Sequence, residues 1–433
     1  MSTWYEQAIF YHMYPLGITG APKTNVQTEV TDRFKELDQW IPHIRSLGCN
    51  AIYIGPLFES SSHGYDTRDY KLVDRRLGTN DDFREFTKLC HENGIKVVVD
   101  GVFNHTGREF FAFKDIQEKK WDSPYKDWYK GVNFGWQSPL GDPFGYEAWQ
   151  GHFELPCLNL YNQQVKDYLF DVIRFWMDEF DIDGIRFDVG NEVSHRFLKR
   201  IREHVKAMKP DIYLLGEIWH DASQWLMGDE YDSVMNYPLM SGIHDFFIDR
   251  TMKKEDFEYM VNHCYTMYMQ QSNNVLFNLL DSHDTERLMN RFRDLDIFYQ
   301  QLAVLFTMPG SPCIYYGTEI AMEGSFDPDC RRCMPWDNLH TEENQRRIHE
   351  IQKLIHLRKT EPSFKSLYFH FPEEYRDDRL VHYIKLDRNQ NQIEILLNCA
   401  QEDVTLQEKG EILFQRQYKN GRLYPKGVLI RRR

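Results

Sequence analysis

The stretch DDFREFTKLCHENGIKVVVD, residues 81–100, contains the pattern of one helix followed by one strand. Apolar residues recur at helical spacing over Asp81–Asn93, and Gly94 supplies a helix stop signal. Lys96–Asp100 is then a short continuous apolar run, which is typical of a strand buried on both faces of a parallel sheet. The stretch therefore predicts one unit of a fold that alternates helices with buried parallel strands.

The same alternation recurs along most of the chain. Helical patterns cover Gln163–Phe180, Ser194–Met208 and Glu342–Lys359, and short apolar runs lie between such segments. Eight strands in all favour a closed (β/α)8 TIM barrel over an open doubly wound sheet, so the predicted fold class is α/β. The other seven strand candidates are Ala8–Tyr14, Ala51–Ile54, Ile185–Asp188, Tyr213–Glu217, Ser233–Asn236, Val275–Asp281 and Cys313–Tyr316.

Two regions depart from this alternation. Residues 105–159, after the third strand, contain many glycines and prolines, and a long insertion at this place usually shapes a barrel active site. After Pro362 the pattern changes to short β-like segments such as Leu380–Leu386 and Gln392–Leu397. We therefore predict a catalytic barrel over residues 1–104 and 160–360, an insertion domain over 105–159, and a small C-terminal all-β domain over 361–433.

Polar side chains follow several predicted strands at the end where barrel active sites lie. A single aspartate at a strand end is as readily a helix N-cap as a site residue. Three carboxylates at three strand ends, interleaved with two histidines and one arginine, are poorly explained by capping. We therefore predict one catalytic site that contains Asp188, Glu217 and Asp284 together with His105, Arg186 and His283.

The chemistry suited to such carboxylates is retaining glycoside hydrolysis, in which one is the nucleophile and the other the acid/base. Glu217 is followed by Ile218 and Trp219, and apolar neighbours raise the pKa of a carboxyl group as an acid/base requires. Arg186 lies two residues before Asp188, so both side chains point to the same face of one strand. Because a nearby cation favours an ionised carboxylate, Asp188 is the better candidate for the nucleophile.

These strand-end blocks resemble the signature regions of the α-amylase family, glycoside hydrolase family 13, over about residues 4–360. The resemblance implies that Asp188 is the nucleophile, Glu217 the acid/base and Asp284 the carboxylate that stabilises the transition state. It also implies sugar-binding roles for further residues. These are Tyr65 within His63-Gly64-Tyr65-Asp66, then His105, Arg186, Trp219 and His283, and the pair Asp327 and Arg331, which would grip the next sugar outward.

Within the family, Glu217–Pro238 is similar to the neopullulanases, cyclomaltodextrinases and maltogenic amylases. Leu155–Asn159 resembles their Met-Pro-Lys-Leu-Asn block, with Cys157 in place of the lysine. That group carries an extra N-terminal β domain, whereas the first strand is predicted here near Ala8, so we expect the domain to be absent. Since that domain builds the group's dimer, both a monomer and a homodimer stay open.

We expect no required cofactor and assign no metal site. Typical α-amylases have Lys-His where Asn191-Glu192 stand here, and that histidine helps to hold calcium. Asn104 is present as in the family, so the resemblance suggests calcium and no other ion. The replacement of Lys-His by Asn191-Glu192 argues against a calcium site. The Cys330–Cys333 spacing has no second ligand pair and is interpreted as structural.

Composition narrows the partners and the compartment. The 433 residues carry a formal charge of −14, which argues against nucleic acid and anionic membranes as partners. No apolar run is long enough to span a membrane, and the first residues lack the pattern of a secretory signal. Together with eight scattered cysteines, interpreted as reduced thiols, this predicts a cytoplasmic protein.

The favoured hypothesis is a retaining α-glucan hydrolase that cleaves α-1,4 bonds of maltodextrins, with pullulan and cyclodextrins as further candidate substrates. One alternative is a glucanotransferase or an oligo-α-1,6-glucosidase, which would use the same three carboxylates. Another alternative is a non-catalytic relative that acts in binding. The presence of all three carboxylates weighs against that last alternative.

Overall fold

The computed structural model describes residues 3–375 and 379–433. Eight parallel strands follow one another around a barrel in the order β8-β7-β6-β5-β2-β1-β10-β9. A parallel bridge between Met235, just after β8, and Phe277 of β9 closes the ring. The barrel strands are β1 Phe10–Met13, β2 Ala51–Ile54, β5 Lys96–Gly101, β6 Gly184–Phe187, β7 Tyr213–Gly216, β8 Ser233–Val234, β9 Phe277–Asn278 and β10 Ser311–Tyr315, and a separate antiparallel pair consists of β3 Phe58–Ser60 and β4 Thr67–Val73.

The predicted TIM barrel is confirmed, and all eight predicted strands are present. The barrel strands are buried along their whole length apart from Lys96, as expected for strands covered on both faces. The helices are α1 Pro15–Ile18, α2 Phe34–Leu47, α3 Asn80–Glu92, α4 Phe111–Lys119, α5 Gln163–Phe180, α6 His195–Met208, α7 Tyr237–Phe247, α8 Lys254–Cys264, α9 Gln270–Asn273, α10 Leu288–Phe292, α11 Leu295–Thr307, α12 Glu342–Thr360 and α13 Pro362–Lys365.

Helix ends follow local capping chemistry. The side chain of Thr79 accepts a hydrogen bond from the backbone of Asp82 at the start of α3, and the Asp82 carboxylate accepts one from the Thr79 backbone in return. Gly94, just after α3, has a left-handed backbone with φ of 70°, which glycine adopts without steric cost. These caps explain why the predicted bounds of this helix are within one residue of those observed.

The segment between β5 and α5 folds over the carboxyl ends of the strands. It contains α4, and antiparallel bridges such as His105 with Cys157 fasten its two ends together. The buried Asp142 carboxylate joins its middle by accepting hydrogen bonds from Arg108 at 2.5 Å, Gln117 at 2.6 Å and Ser138 at 2.6 Å. This network holds the segment as a fixed wall above the barrel.

After α13 the chain forms an antiparallel sheet, which confirms the predicted C-terminal β architecture. Gln300 of α11 contacts it by donating to the carbonyl oxygens of Asn398 at 2.9 Å and Gly427 at 3.2 Å. The domain limits at residues 104, 160 and 360 stay a prediction. The sheet strands are β11 Phe369–His370, β12 Leu380–Leu386, β13 Gln392–Asn398, β14 Val404–Thr405, β15 Glu411–Lys419 and β16 Arg422–Arg432.

Across the described ranges, every helix is too short or too polar to cross a lipid bilayer.

Candidate active site

A cavity of about 680 Å³ opens at the carboxyl ends of the barrel strands. The predicted site residues gather there because the strands are parallel, so all their carboxyl ends meet at one face of the barrel. Eight of the ten predicted residues line the cavity, and the other two, Arg186 and His283, are fully buried. The eight are Tyr65, His105, Asp188, Glu217, Trp219, Asp284, Asp327 and Arg331.

Arg186 joins the carboxylates of the site. Its Nη1 donates to Asp188 Oδ1 at 3.1 Å, as expected from their shared face on β6. Its Nη2 lies 2.9 Å from Glu217 Oε2 and 3.9 Å from Asp284 Oδ2. The Glu217 contact has the distance of an ion pair without the alignment of a hydrogen bond, so its attraction is electrostatic. One guanidinium group therefore holds all three predicted carboxylates around one point.

Asp100, at the end of β5, is a fourth carboxylate that sequence reasoning did not assign. Its oxygens accept from Arg186 Nη1 at 2.8 and 2.9 Å, and from the hydroxyls of Tyr53 at 2.8 Å and Tyr65 at 3.1 Å. Asp100 lies at the end of a predicted strand, but nothing in the sequence showed that it makes more hydrogen bonds to Arg186 than the other carboxylates do. It fixes the guanidinium in place and so orients the other carboxylates.

Burial raises the pKa of Asp188 well above its usual value, although Arg186 opposes the shift. The carboxylates of Glu217, Asp100 and Asp284 add to the increase. The predicted contact with Arg186 is therefore present and favours the ionised form, but burial outweighs it in the pKa of Asp188. Because one cation faces four carboxylates, repulsion among them favours the binding of a proton within the cluster. A general acid needs such a proton.

The two oxygens of Asp188 have different surroundings. Oδ1 accepts the hydrogen bond from Arg186, whereas Oδ2 is buried and has no hydrogen-bond partner among the residues described. The nearest ring nitrogen, His105 Nε2, is 3.8 Å from Oδ2. Burial lowers the pKa of His105 to about 3, so this ring is neutral and does not pair with the carboxylate. Oδ2 is therefore the oxygen of Asp188 that no described group holds by a hydrogen bond.

Glu217 is held on both sides. Its Oε2 accepts from the backbone N–H of Val189 at 3.0 Å, and its Oε1 accepts from the indole N–H of Trp219 at 3.1 Å. Trp219 stacks on Tyr237 with ring centroids 3.6 Å apart and remains 46% exposed. An exposed aromatic face beside a carboxyl group suits a sugar, whose C–H faces are apolar while its edges are polar.

Asp284 lies at the opposite wall with basic neighbours. Arg331 donates to its Oδ1 at 2.9 Å, and His283 Nε2 lies 3.0 Å from its Oδ2. Arg331 also pairs with Asp327 at 3.2 Å, which brings the predicted outer pair together. Tyr65 stacks on His283 with centroids 5.6 Å apart, and its hydroxyl makes a short hydrogen bond to the same ring. The wall thus combines one aromatic face with several hydrogen-bonding groups.

The insertion contributes residues that sequence reasoning located only as a region. Trp149, Gln150 and His152 line the cavity, and the Trp149 ring lies 5.9 Å from that of His105. Gln150 has a left-handed backbone with φ of 47° in the turn that presents these side chains. The available signal was the tryptophan content of the insertion, which has Trp121, Trp128, Trp136 and Trp149, but only the fold shows that Trp149 lines the cavity.

Asn104, the residue that the resemblance links to calcium, is fully buried, and its amide oxygen has no hydrogen-bond partner among the residues described. Its amide nitrogen donates to Glu192 Oε2 at 3.3 Å. The expectation that no calcium is required stays a prediction. Among the described residues, one group of three metal-ligand side chains was found, Glu374, His382 and Glu394 in the C-terminal sheet. Lys409 and Arg431 pair with its two glutamates, which disfavours a metal cation there.

The amino-acid sequence matches the α-amylase catalytic domain over residues 33–373. It is 38% identical over 413 residues to a cyclomaltodextrinase of a Bacillus species, covering 91% of this chain and 73% of that one. It is also 38% identical over 374 residues to an intracellular maltogenic amylase of Bacillus subtilis strain 168, and the match covers 83% of this chain and 62% of the relative.

Solved structures agree with this assignment. The cyclic α-maltosyl-(1→6)-maltose hydrolase of Arthrobacter globiformis superposes with a TM-score of 0.87 at 29% identity, and all of both chains is covered. The match to the catalytic domain spans most of the barrel that carries Asp188, Glu217 and Asp284. A barrel with these carboxylates at its strand ends, found in a sequence this similar to known amylases, makes the chain a glycoside hydrolase that belongs to the α-amylase family.

Proposed function

We propose that this enzyme hydrolyses α-1,4-glucosidic bonds of maltodextrins with retention of configuration, through a covalent glycosyl-enzyme. The observation that carries the proposal is the contact of one guanidinium, Arg186, with Asp188, Glu217 and Asp284 together. Relatives described as cyclomaltodextrinase and maltogenic amylase support α-glucans as the substrate class.

In the first step, Asp188 Oδ2 attacks the anomeric carbon while Glu217 protonates the departing glycosidic oxygen. Arg186 holds Asp188 Oδ1, so the attacking oxygen keeps a fixed direction. In the second step Glu217, now ionised, removes a proton from water, and the water oxygen displaces Asp188 from the sugar. Two inversions at one carbon leave the product with the configuration of the substrate.

We assign Asp284 to the sugar ring and not to the proton transfers. Arg331 and His283 hold its two oxygens, which limits its movement. A carboxylate held beside the reacting sugar stabilises the positive charge that develops in an oxocarbenium-like transition state and binds ring hydroxyls. Tyr65 supplies the aromatic face for the same sugar, and His105 and His283 supply neutral ring nitrogens as hydrogen-bonding groups.

The type of bond that the enzyme cleaves is tested by the products that it releases from pullulan, a glucan in which α-1,6 bonds join maltotriose units. We expect panose or isopanose, because the proposed enzyme cuts α-1,4 bonds, and we expect glucose and maltose from maltotriose with isomaltose left intact. Chromatography of timed digests distinguishes these products. Release of maltotriose from pullulan would instead establish the α-1,6 specificity, and longer oligosaccharides formed from maltotriose would establish glucan transfer.

We further propose that the enzyme acts in the cytoplasm. The support is a relative described as intracellular, together with the acidic composition and the scattered free cysteines. Small α-glucans are its proposed partners.

Activity is expected to survive treatment with EDTA. Proton transfer between carboxylates and a sugar needs no Lewis acid, and Asn191-Glu192 stand where typical α-amylases have the Lys-His that helps to hold calcium. The measurement compares initial rates on maltotriose before and after chelation and dialysis. Loss of activity that added calcium restores would show that a metal supports the active fold, and the proposal would be wrong.

A further inference from the structure

Val189, the residue after the proposed nucleophile, has an unusual backbone. Its φ is 48°, in the left-handed region that β-branched residues rarely enter. Eleven non-glycine residues of the described chain have positive φ, and Val189 is the one β-branched residue among them. Backbone strain of this kind persists only where the surrounding structure imposes it, and it is concentrated at functional sites.

The contacts that impose the strained turn come from two neighbouring strand ends. On one side of Val189, the N–H of Asp188 donates to the carbonyl oxygen of Gly101 at 3.1 Å. On the other side, the N–H of Gly190 donates to the carbonyl oxygen of Glu217 at 3.0 Å, and the Tyr231 hydroxyl donates to the Gly190 carbonyl oxygen at 2.9 Å. Tethered at both ends, the turn has little freedom to relax.

The consequence of this conformation is the direction of one N–H group. The Val189 N–H points to Glu217 Oε2, which it reaches at 3.0 Å, and Arg186 Nη2 lies 2.9 Å from the same oxygen. The other oxygen, Oε1, accepts one hydrogen bond, from Trp219. A proton on Oε2 would face the Val189 N–H and the positive charge of Arg186, whereas a proton on Oε1 would face only the Trp219 N–H, beside the half-exposed indole.

We propose that Val189 is a positioning residue whose strained backbone N–H makes Glu217 Oε1 the oxygen that carries and delivers the catalytic proton. The inference rests on the proposed acid/base role of Glu217. It goes further by assigning the two carboxyl oxygens different tasks and by giving the backbone strain a function. The charged or titratable groups around Glu217 that bear on its protonation are Arg186, Asp188, Asp100, Asp284, Tyr231 and Tyr237.

The direct test replaces the Val189 N–H by an oxygen atom, which cannot donate a hydrogen bond, and keeps the valine side chain. Ribosomal incorporation of the α-hydroxy analogue of valine at position 189 replaces the amide by an ester. The ester cannot donate to ionised Glu217, so the ionised form is less stable and the carboxyl group keeps its proton to higher pH. The alkaline limb of the pH profile of kcat/KM on a maltodextrin should therefore shift to higher pH by about one unit. The matched control places glycolic acid at Gly190, where the lost N–H binds the Glu217 carbonyl oxygen and not its carboxylate. The control should leave the limb in place.

An unshifted limb in the Val189 ester, or an equal shift in both esters, would overturn the inference. The Glu217→Gln variant separates this failure from failure of the proposed function. With an aryl glucoside and azide, it should lack the alkaline limb of the wild-type enzyme. If Glu217→Gln keeps the alkaline limb, Glu217 is not the acid and the proposed function fails. If Glu217→Gln loses the limb but the Val189 ester does not shift it, only the role of Val189 is overturned.

A second comparison tests the strain itself without chemical synthesis. Val189→Gly and Val189→Ala both keep the N–H, so neither should move the alkaline limb. Glycine adopts a left-handed backbone without steric cost, so Val189→Gly should unfold at a higher temperature than Val189→Ala, against the usual order of these residues. A more stable alanine variant would show that Val189 is not left-handed in solution, and the inference would lose its basis.

Discussion

The Asp188→Asn variant is expected to lose more than 99% of kcat on maltodextrins while remaining folded. The amide has nearly the shape of the carboxylate but neither its charge nor its nucleophilicity, so the covalent intermediate does not form. A loss of about 100-fold corresponds to about 2.7 kcal/mol of activation free energy, and loss of covalent catalysis should exceed this value. Steady-state rates at saturating maltotriose measure the effect.

Stability separates this result from unfolding. Asp188 is buried among three other carboxylates, and burial with like charges raises its pKa, so a neutral amide relieves repulsion within the cluster. The unfolding temperature should therefore not fall. Asp281→Asn is the matched control, because Asp281 is another buried aspartate after a barrel strand that does not line the cavity. If Asp188→Asn retained more than about one hundredth of wild-type kcat, another residue would be the nucleophile.

The Glu217→Gln variant is expected to lose activity according to the leaving group. A maltodextrin has an alcohol leaving group of high pKa that requires a proton, so its cleavage should be damaged most. A glucoside of an acidic phenol departs without a proton, so formation of its glycosyl-enzyme should be damaged least. Hydrolysis of the intermediate is slowed for both substrates because water has lost its general base. Comparison of kcat/KM for the two substrates measures the difference.

Azide extends the test of Glu217 to the second step. As an anion, azide needs no general base, so it should restore turnover of the aryl glucoside by Glu217→Gln. The product should be the α-glycosyl azide, because two inversions retain the configuration. If both substrates lost rate equally and azide gave no rescue, Glu217 would not be the acid/base. Asp284, the third cavity-lining carboxylate that lies within 4 Å of Arg186, would then be tested in the same way.

The barrel could be predicted from the sequence because its evidence is local. Apolar runs such as Lys96–Asp100 mark buried strands, and a cap such as that at Thr79 marks a helix start. Even the short run Ser233–Asn236 contains a strand of two residues that pairs with β7, and the bridge from Met235 to Phe277 closes the ring. The predicted residues at the strand ends then come together, because the carboxyl ends of parallel strands all lie at the same face of the barrel.

The electrostatics of the site could not be predicted in this way, because they depend on contacts between distant segments. Arg186 was paired with Asp188 from strand periodicity, but its closest partner is Asp100, 86 positions away. Burial, which no local pattern measures, raises the pKa of Asp188 by more than Arg186 lowers it. The left-handed backbone of Val189 is equally invisible, since valine is a residue type that does not signal this conformation.

The central claim is that Asp188 becomes covalently attached to the sugar, and mass spectrometry of the trapped intermediate tests it most directly. The Glu217→Gln variant, mixed with an α-maltosyl fluoride whose leaving group needs no proton, should accumulate the glycosyl-enzyme. After peptic digestion, the mass of one maltosyl unit should appear on the peptide that contains Asp188, and fragmentation should locate it on that side chain. Attachment to a peptide that contains Asp284 or Asp100, or hydrolysis by Glu217→Gln without any labelled peptide, would contradict the account.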